Sequence, residues 1–281
     1  LIHDLLGRIL LDRMDNQDEI FTSEVLSLID QVTVDVDEGL EFPGLEVVAP
    51  NWPDPAESCF GDDTVLWVSI TSPLKHGLTS RSGVIPVDTS LDIASTNQLR
   101  WDGHQLVTGS TDGAGVVLVA RIWGAFGRSK SPIMILNGGG AAARSTASAW
   151  AENGGRILSV TPEGRRPLDP RGPWKNALID RLPDGSLESI FQVDFSSTAG
   201  SFRSSNVSNS DICLVASYGK DGSVEPTQSA SGALILDGRW MLAAQHLVAW
   251  AQFIAPKHRD FLPSLPLLLN RLSEVENRIE E

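Results

Sequence analysis

The chain has 281 residues, 41% hydrophobic and 21% charged, a globular composition long enough for one large or two ordinary domains. Its formal net charge of −14 argues against nucleic acid as a partner, because phosphate contacts need a surplus of Lys and Arg. No apolar run approaches the roughly 18 residues of a membrane span, and Cys59 and Cys213 form neither a zinc spacing nor a disulfide framework.

The amphipathic start, with Ile2, Leu5, Leu6, Ile9 and Leu10 at helical spacing, predicts a helix over 1–14 and contains no signal peptide. Residues 16–63 are acidic and irregular, with four prolines, and leave room for a helix near 24–29 and strands near 32–36 and 45–48. A strand over 65–70 ends at the Pro73 turn. Residues 97–101 and 105–108 flank Asp102-Gly103, a hairpin signal. A linking helix is expected over 115–127, a short buried strand over 133–136, a glycine turn over 137–140 and a helix over 141–152. Strands follow near 157–160, 192–195, 212–216 and 233–236, and a final helix over 238–254. Residues 274–281 form a charged tail, read as a solvated helix end or as disorder.

Strand, glycine turn, helix and strand in this order make a βαβ unit. Asn137-Gly138-Gly139-Gly140-Ala141 opens the helix, and Gly138, Gly140 and Ala143 fit G-x-G-x-x-A. Bare backbone there admits a pyrophosphate to free N–H groups and the positive end of the helix dipole. At the end of the second strand, 159–161 lack the acid that would take an NAD ribose; Arg165 and Arg166 follow, which favours NADP. The fold class expected is therefore α/β with two domains. An α/β substrate domain over 1–118 precedes a Rossmann-like dinucleotide domain over 119–238. C-terminal helices over 239–281 return to the first.

Lys75 and Asp112 lie on Ser-, Thr-, Gly- and Pro-rich loops, with Asn97 between them in the sequence. A Lys and an Asp brought together on such loops can move a proton at a carbonyl or hydroxyl. Five segments resemble motifs of the shikimate dehydrogenase family, in family order. Ser69-Ile-Thr-Ser-Pro-Leu-Lys75 is similar to Asn-Val-Thr-x-Pro-x-Lys, and Ala94-Ser-Thr-Asn97 to Gly-Ala-x-Asn. Residues 108–115 resemble Gly-x-Asn-Thr-Asp-x-x-Gly, 137–142 resemble Gly-Ala-Gly-Gly-Ala-Ala, and 237–245 resemble Gly-x-x-Met-Leu-x-x-Gln. The chain departs from these motifs at Ser69, Ser110 and Asn137. Asn137 stands where the family has glycine, and it can adopt the left-handed backbone. Leu1-Ile-His-Asp4 resembles the end of Ser-x-Ser-Pro-x-x-His-Asn, which would put that motif's serines upstream of Leu1.

The resemblance implies reversible, NADP-dependent reduction of 3-dehydroshikimate to shikimate. It makes Lys75 and Asp112 catalytic. It assigns Thr71, Asn97, Tyr218 and Gln245 to the substrate, and Asn137, Gly138, Gly139, Gly140, Ala141, Arg165, Arg166 and Gly238 to the cofactor, with no metal. Gln245 has support of its own as a polar residue on a helix face it shares with Met241 and Val248. His76 and His246 are given no role. The expected partner is a small ring acid, in a cytoplasmic monomer or homodimer. Two alternatives stay open: a non-catalytic sensor of shikimate or quinate, and a dehydrogenase domain cut from a larger aromatic-pathway polypeptide.

Overall fold

The computed structural model describes residues 2–14, 66–71, 74–78, 83–101, 105–128, 131–183, 189–196, 210–217 and 223–280. The elements expected within 16–63, the turn at Asp102-Gly103 and Tyr218 lie outside these. The chain divides into two compact units. One comprises Leu1–Ser110 with Ala249–Leu268, the other Thr111–Val248 with Leu269–Glu281.

In the first unit, helix α1 (Ile2–Met14) buries Ile2, Leu6, Leu10 and Met14, the stripe that helical spacing predicts. A four-stranded sheet is built from β1 (Leu66–Ser69), β2 (Ile85–Pro86), β3 (Gln98–Trp101) and β4 (Leu106–Gly109), in the order β1-β3-β4-β2. β3 and β4 pair antiparallel, as their flanking turn signal predicts, and β1 pairs antiparallel with β3. Ile70, Leu78, Val84, Leu99 and Leu106 form the core beside this sheet.

The second unit opens with helix α2 (Asp112–Ile122), which starts three residues earlier than the sequence suggests. It stops at Trp123, where Gly124 turns left-handed (φ +79°), and a four-residue helix, α3 (Ala125–Arg128), follows. The single helix expected over 115–127 is thus two, because only glycine makes that turn at low cost.

The larger sheet comprises β5 (Ile133–Asn137), β6 (Arg156–Val160), β7 (Ile190–Asp194), β8 (Ile212–Val215), β9 (Thr227–Gln228) and β10 (Leu234–Leu236). Helix α4 (Ala141–Glu152) joins β5 to β6. The order is β6-β5-β7-β8-β10-β9, parallel except for β9 at the edge. Strands covered on both faces need unbroken apolar runs, and Ile133, Met134, Ile135 and Leu136 are all buried, as are Ile212, Cys213 and Leu214. Beyond β6 the sheet continues, among the described residues, as a bridge between Ile157 and Leu178. The order reverses at β5, whose neighbours are β6 on one side and β7 on the other. That reversal is the switch point where open α/β sheets leave a crevice beyond the strands' carboxyl ends.

Helix α5 (Gly238–Ala249) is shorter than expected; the chain continues as a π-helical stretch, Trp250–Ile254. It is not the final helix. α6 (Leu265–Glu280) follows, burying Leu265, Leu268, Leu269 and Leu272 and carrying the charged end as helix.

Candidate functional site

In the first unit, three residues separated in the sequence are tied together by backbone. β1 ends beside Asn97, where the Ile70 N–H donates to the Asn97 carbonyl at 2.8 Å. Thr71 follows, exposed, and its carbonyl accepts the Leu74 N–H at 2.9 Å, which starts the short 3-10 turn Leu74–His76. Half-buried Lys75 lies on that turn, and its carbonyl accepts the Thr96 N–H at 2.9 Å. The Asn97 N–H donates to Gly109 at 3.1 Å, and Asn97 is buried. Thr71, Lys75 and Asn97 therefore share one corner of the sheet. His76 Nδ1 is 3.2 Å from the Ala94 carbonyl.

The segment that delivers Asn97 is strained. Ala94 has φ +47°, the only positive value among the described non-glycine residues. It occupies the place of the glycine in the family motif Gly-Ala-x-Asn. Asp88 braces this corner: its Oδ1 accepts the Ser90 N–H and its Oδ2 the Ser110 N–H, both at 2.8 Å.

In the second unit, Asp112 is the first residue of α2 and is fully buried. The next N–H, of Gly113, donates to Ser145 Oγ at 2.9 Å. A Cβ on Gly113 would lie 2.1 Å from the Ser145 carbonyl oxygen, so α2 meets α4 backbone to backbone. One turn on, a Cβ at Gly115 would fall 2.8 Å from the Gln245 backbone nitrogen. The first turn of α2 thus abuts α5 at Gln245, which brings the Asp112 turn and Gln245 together. Lys75 and Asn97 belong to one unit, Asp112 and Gln245 to the other.

The glycine loop lies at the switch point. Asn137 ends β5, and its carbonyl accepts the Phe195 N–H at 3.1 Å. The left-handed residue is Gly138 (φ +113°), not Asn137, which keeps strand geometry. The asparagine therefore replaces a family glycine where no positive φ is needed. At Gly139 a Cβ would sit 2.3 Å from the backbone carbonyl of Pro167. At Gly140, the residue before α4, a Cβ would meet none of the described residues within 4 Å. Gly139 is thus filled by the protein, and Gly140 faces open space at the amino end of a 12-residue helix. A dinucleotide pyrophosphate suits such a place, which offers bare backbone at Gly140 and the positive end of the helix dipole.

Arginines crowd this loop. Arg165 Nη2 donates to the Ser196 carbonyl at 2.7 Å, and Arg166 is exposed. Arg144, half-buried in the first turn of α4, donates from Nη1 to the Gly139 carbonyl at 3.3 Å. Burial, and then the charge of Arg166, lower the Arg144 pKa. Sequence reasoning did not single out Arg144; its signal was its place four residues after Gly140, one turn into the helix. Asp194 ends β7 beside Asn137, and its Oδ1 accepts the N–H and hydroxyl of Ser196 at 2.7 and 2.5 Å.

Gly238 begins α5, where a Cβ would lie 2.6 Å from the Ala216 carbonyl oxygen at the end of β8. Arg239 holds this start in place. It pairs with Asp237 at 3.1 Å and with Glu276 of α6 at 2.9 Å. Burial lowers the Arg239 pKa, but the two carboxylates more than reverse this, so the net shift is upward.

No family model matches the chain, and no curated protein does. Solved structures do. A shikimate 5-dehydrogenase of Thermus thermophilus, in complex with NADP(H) and shikimate, superposes with a TM-score of 0.51 at 17% identity, over 75% of this chain and 78% of that one. The fold is that of a shikimate dehydrogenase. The same Thermus shikimate dehydrogenase in complex with shikimate gives 0.50 at 18% identity, with the same coverage. At these identities the likeness to shikimate dehydrogenases is one of fold. No described helix is long and apolar enough to cross a membrane.

Proposed function

We propose that this protein is an NADP-dependent dehydrogenase that interconverts 3-dehydroshikimate and shikimate. The observation that carries this reading is the backbone tie of Lys75 to Thr96, the neighbour of Asn97, with Thr71 on the same corner, in a chain with the shikimate dehydrogenase fold. Lys75, Asn97 and Thr71 each match the motif that gives them a role in that family.

NADPH, when bound, supplies the hydride that goes to the ketone carbon. The remaining work falls to side chains. The Lys75 ammonium gives a proton to the oxygen that gains charge, and takes it back in the reverse direction. Asp112 accepts a hydrogen bond from the resulting hydroxyl. Thr71, Asn97, Gln245 and Tyr218 bind and orient the ring. The glycine loop takes the pyrophosphate at Gly140, and Gly238, packed on the Ala216 carbonyl, lies near the nicotinamide.

The test is absorbance at 340 nm with shikimate and NADP, on the full-length protein. Shikimate-dependent NADPH formation is expected. Saturable shikimate binding with no NADPH formed would instead support a metabolite sensor. Lys75 favours the enzyme, because a sensor needs contacts to the ring but no proton donor.

A further inference from the structure

Arg239 and Glu276 each stand at the unfavourable end of a helix. A guanidinium in the first turn of α5 opposes the positive end of that helix dipole, and a carboxylate near the end of α6 opposes the negative end of the other. Arg239 is also buried, at 7% exposure. Neither residue suits its own helix; the two charges meet each other instead. Arg239 Nε donates to Glu276 Oε2 at 2.9 Å and to Oε1 at 3.2 Å. We infer that Arg239 is a positioning residue for hydride transfer: α6, through Glu276, holds the start of α5 in register with the nicotinamide end of the cofactor. This rests on the dehydrogenase reading above.

The start of α5 is fixed from several sides. Asp237 Oδ1 accepts the Arg239 backbone N–H at 2.9 Å and its Nη1 at 3.1 Å, so one carboxylate caps the helix and pins the side chain. The Trp240 indole N–H donates to the Val224 carbonyl at 2.8 Å. At Gly238 a Cβ would lie 2.6 Å from the Ala216 carbonyl oxygen and 2.9 Å from the Ser217 carbonyl carbon, so α5 begins hard against the chain leaving β8. β8 belongs to the parallel sheet whose carboxyl ends border the crevice. A shift of this start therefore moves Gly238 relative to the nicotinamide.

Hydride transfer is sensitive to such a shift, because a misplacement of about 1 Å can cost about 10²-fold in rate. The Glu276 carboxylate is partly exposed, and a pair of that kind adds little to stability. Its effect is geometric: without Glu276 the buried guanidinium keeps only the Asp237 carboxylate of its own turn, and the tie from α5 to α6 is gone. Arg239 and Trp240 fill the unspecified places of the family motif Gly-x-x-Met, so the resemblance gives Arg239 no role.

The test combines kinetics, cofactor binding and hydrogen exchange on wild type, E276A, E276Q and R239K. E276A and R239K should lower kcat for reduction of 3-dehydroshikimate by about 10-fold. They should also raise the primary isotope effect with NADPH deuterated at the transferred position. NADP affinity by calorimetry and KM for 3-dehydroshikimate should stay within about twofold, and E276Q, which keeps one acceptor oxygen, should recover part of the loss. Amide exchange in peptides spanning Gly238–Met241 should quicken in E276A, with the melting temperature near wild type. Unchanged exchange or unchanged kcat, in a protein whose wild type turns over, would overturn the positioning role. So would a fall in NADP affinity that matches the fall in kcat, or a lowered kcat with an isotope effect no larger than that of wild type. Wild type without turnover would overturn the dehydrogenase reading and the positioning role together. If E276A does not fold, as judged by circular dichroism, E276Q decides by the same criteria.

Discussion

Ala94 holds a left-handed backbone, at φ +47°, so that the next three residues reach Asn97 beside the Lys75 turn. An L-residue with a Cβ loses roughly 1–2 kcal/mol in that region, whereas glycine does not. Ala94→Gly should therefore stabilise the protein by about 1 kcal/mol, less whatever the freer unfolded chain takes back. Urea denaturation checks this, and a lowered midpoint would contradict it. Cys213 carries a second residue-scale prediction. Burial first, and the nearby Asp194 charge second, push its thiol pKa from 9.0 up to about 12. A raised thiol pKa means stability that is whole below about pH 9 and is lost as pH rises towards about 12. In a Cys59→Ser background, Cys213 should react with a thiol reagent at the rate of global unfolding, and Cys213→Ala should flatten the alkaline fall in stability. Fast labelling of the folded protein would contradict the burial.

At the scale of elements, the glycine loop separates two jobs that look alike in the sequence. Gly139 is packed against the backbone of Pro167, and Gly140 faces open space with a backbone (φ −72°, ψ −172°) that any residue adopts. Gly139→Ala should thus destabilise the fold by about 1–3 kcal/mol through forced movement of backbone. Gly140→Ala should leave thermal stability near wild type and weaken NADP about tenfold or more, because the new methyl occupies the approach to the helix end. Melting curves and NADP titration of both variants check this; a Gly140→Ala protein with full affinity would contradict the cradle. The existence and type of the described elements were legible because each had a local cause. The 3.6-residue stripe of α1, the runs of β5 and β8 and the antiparallel pairing of β3 with β4 are written in consecutive residues. The π-helical continuation after α5 depends on tertiary contacts, which no local pattern announces. Within the site, the motif residues were legible as an ordered set. Ala94's strain, the place of the left-handed turn at Gly138 instead of Asn137, and the turning back of Arg144 required backbone geometry.

For the molecule as a whole, an acidic chain keeps a local basic corner at one switch point and a lysine-bearing corner on a separate sheet. Under the proposed function the two features serve one reaction, with hydride from NADPH and a proton from Lys75. The central claim is that Lys75 carries the proton, so the most direct measurement compares wild type with Lys75→Ala in shikimate-dependent reduction of NADP, alongside NADP binding to both. Loss of a general acid–base group predicts a fall in kcat of about 10²-fold to 10⁴-fold with NADP affinity unchanged. Equal turnover by the two proteins would contradict the mechanism, and no turnover by the full-length wild type would contradict the dehydrogenase itself.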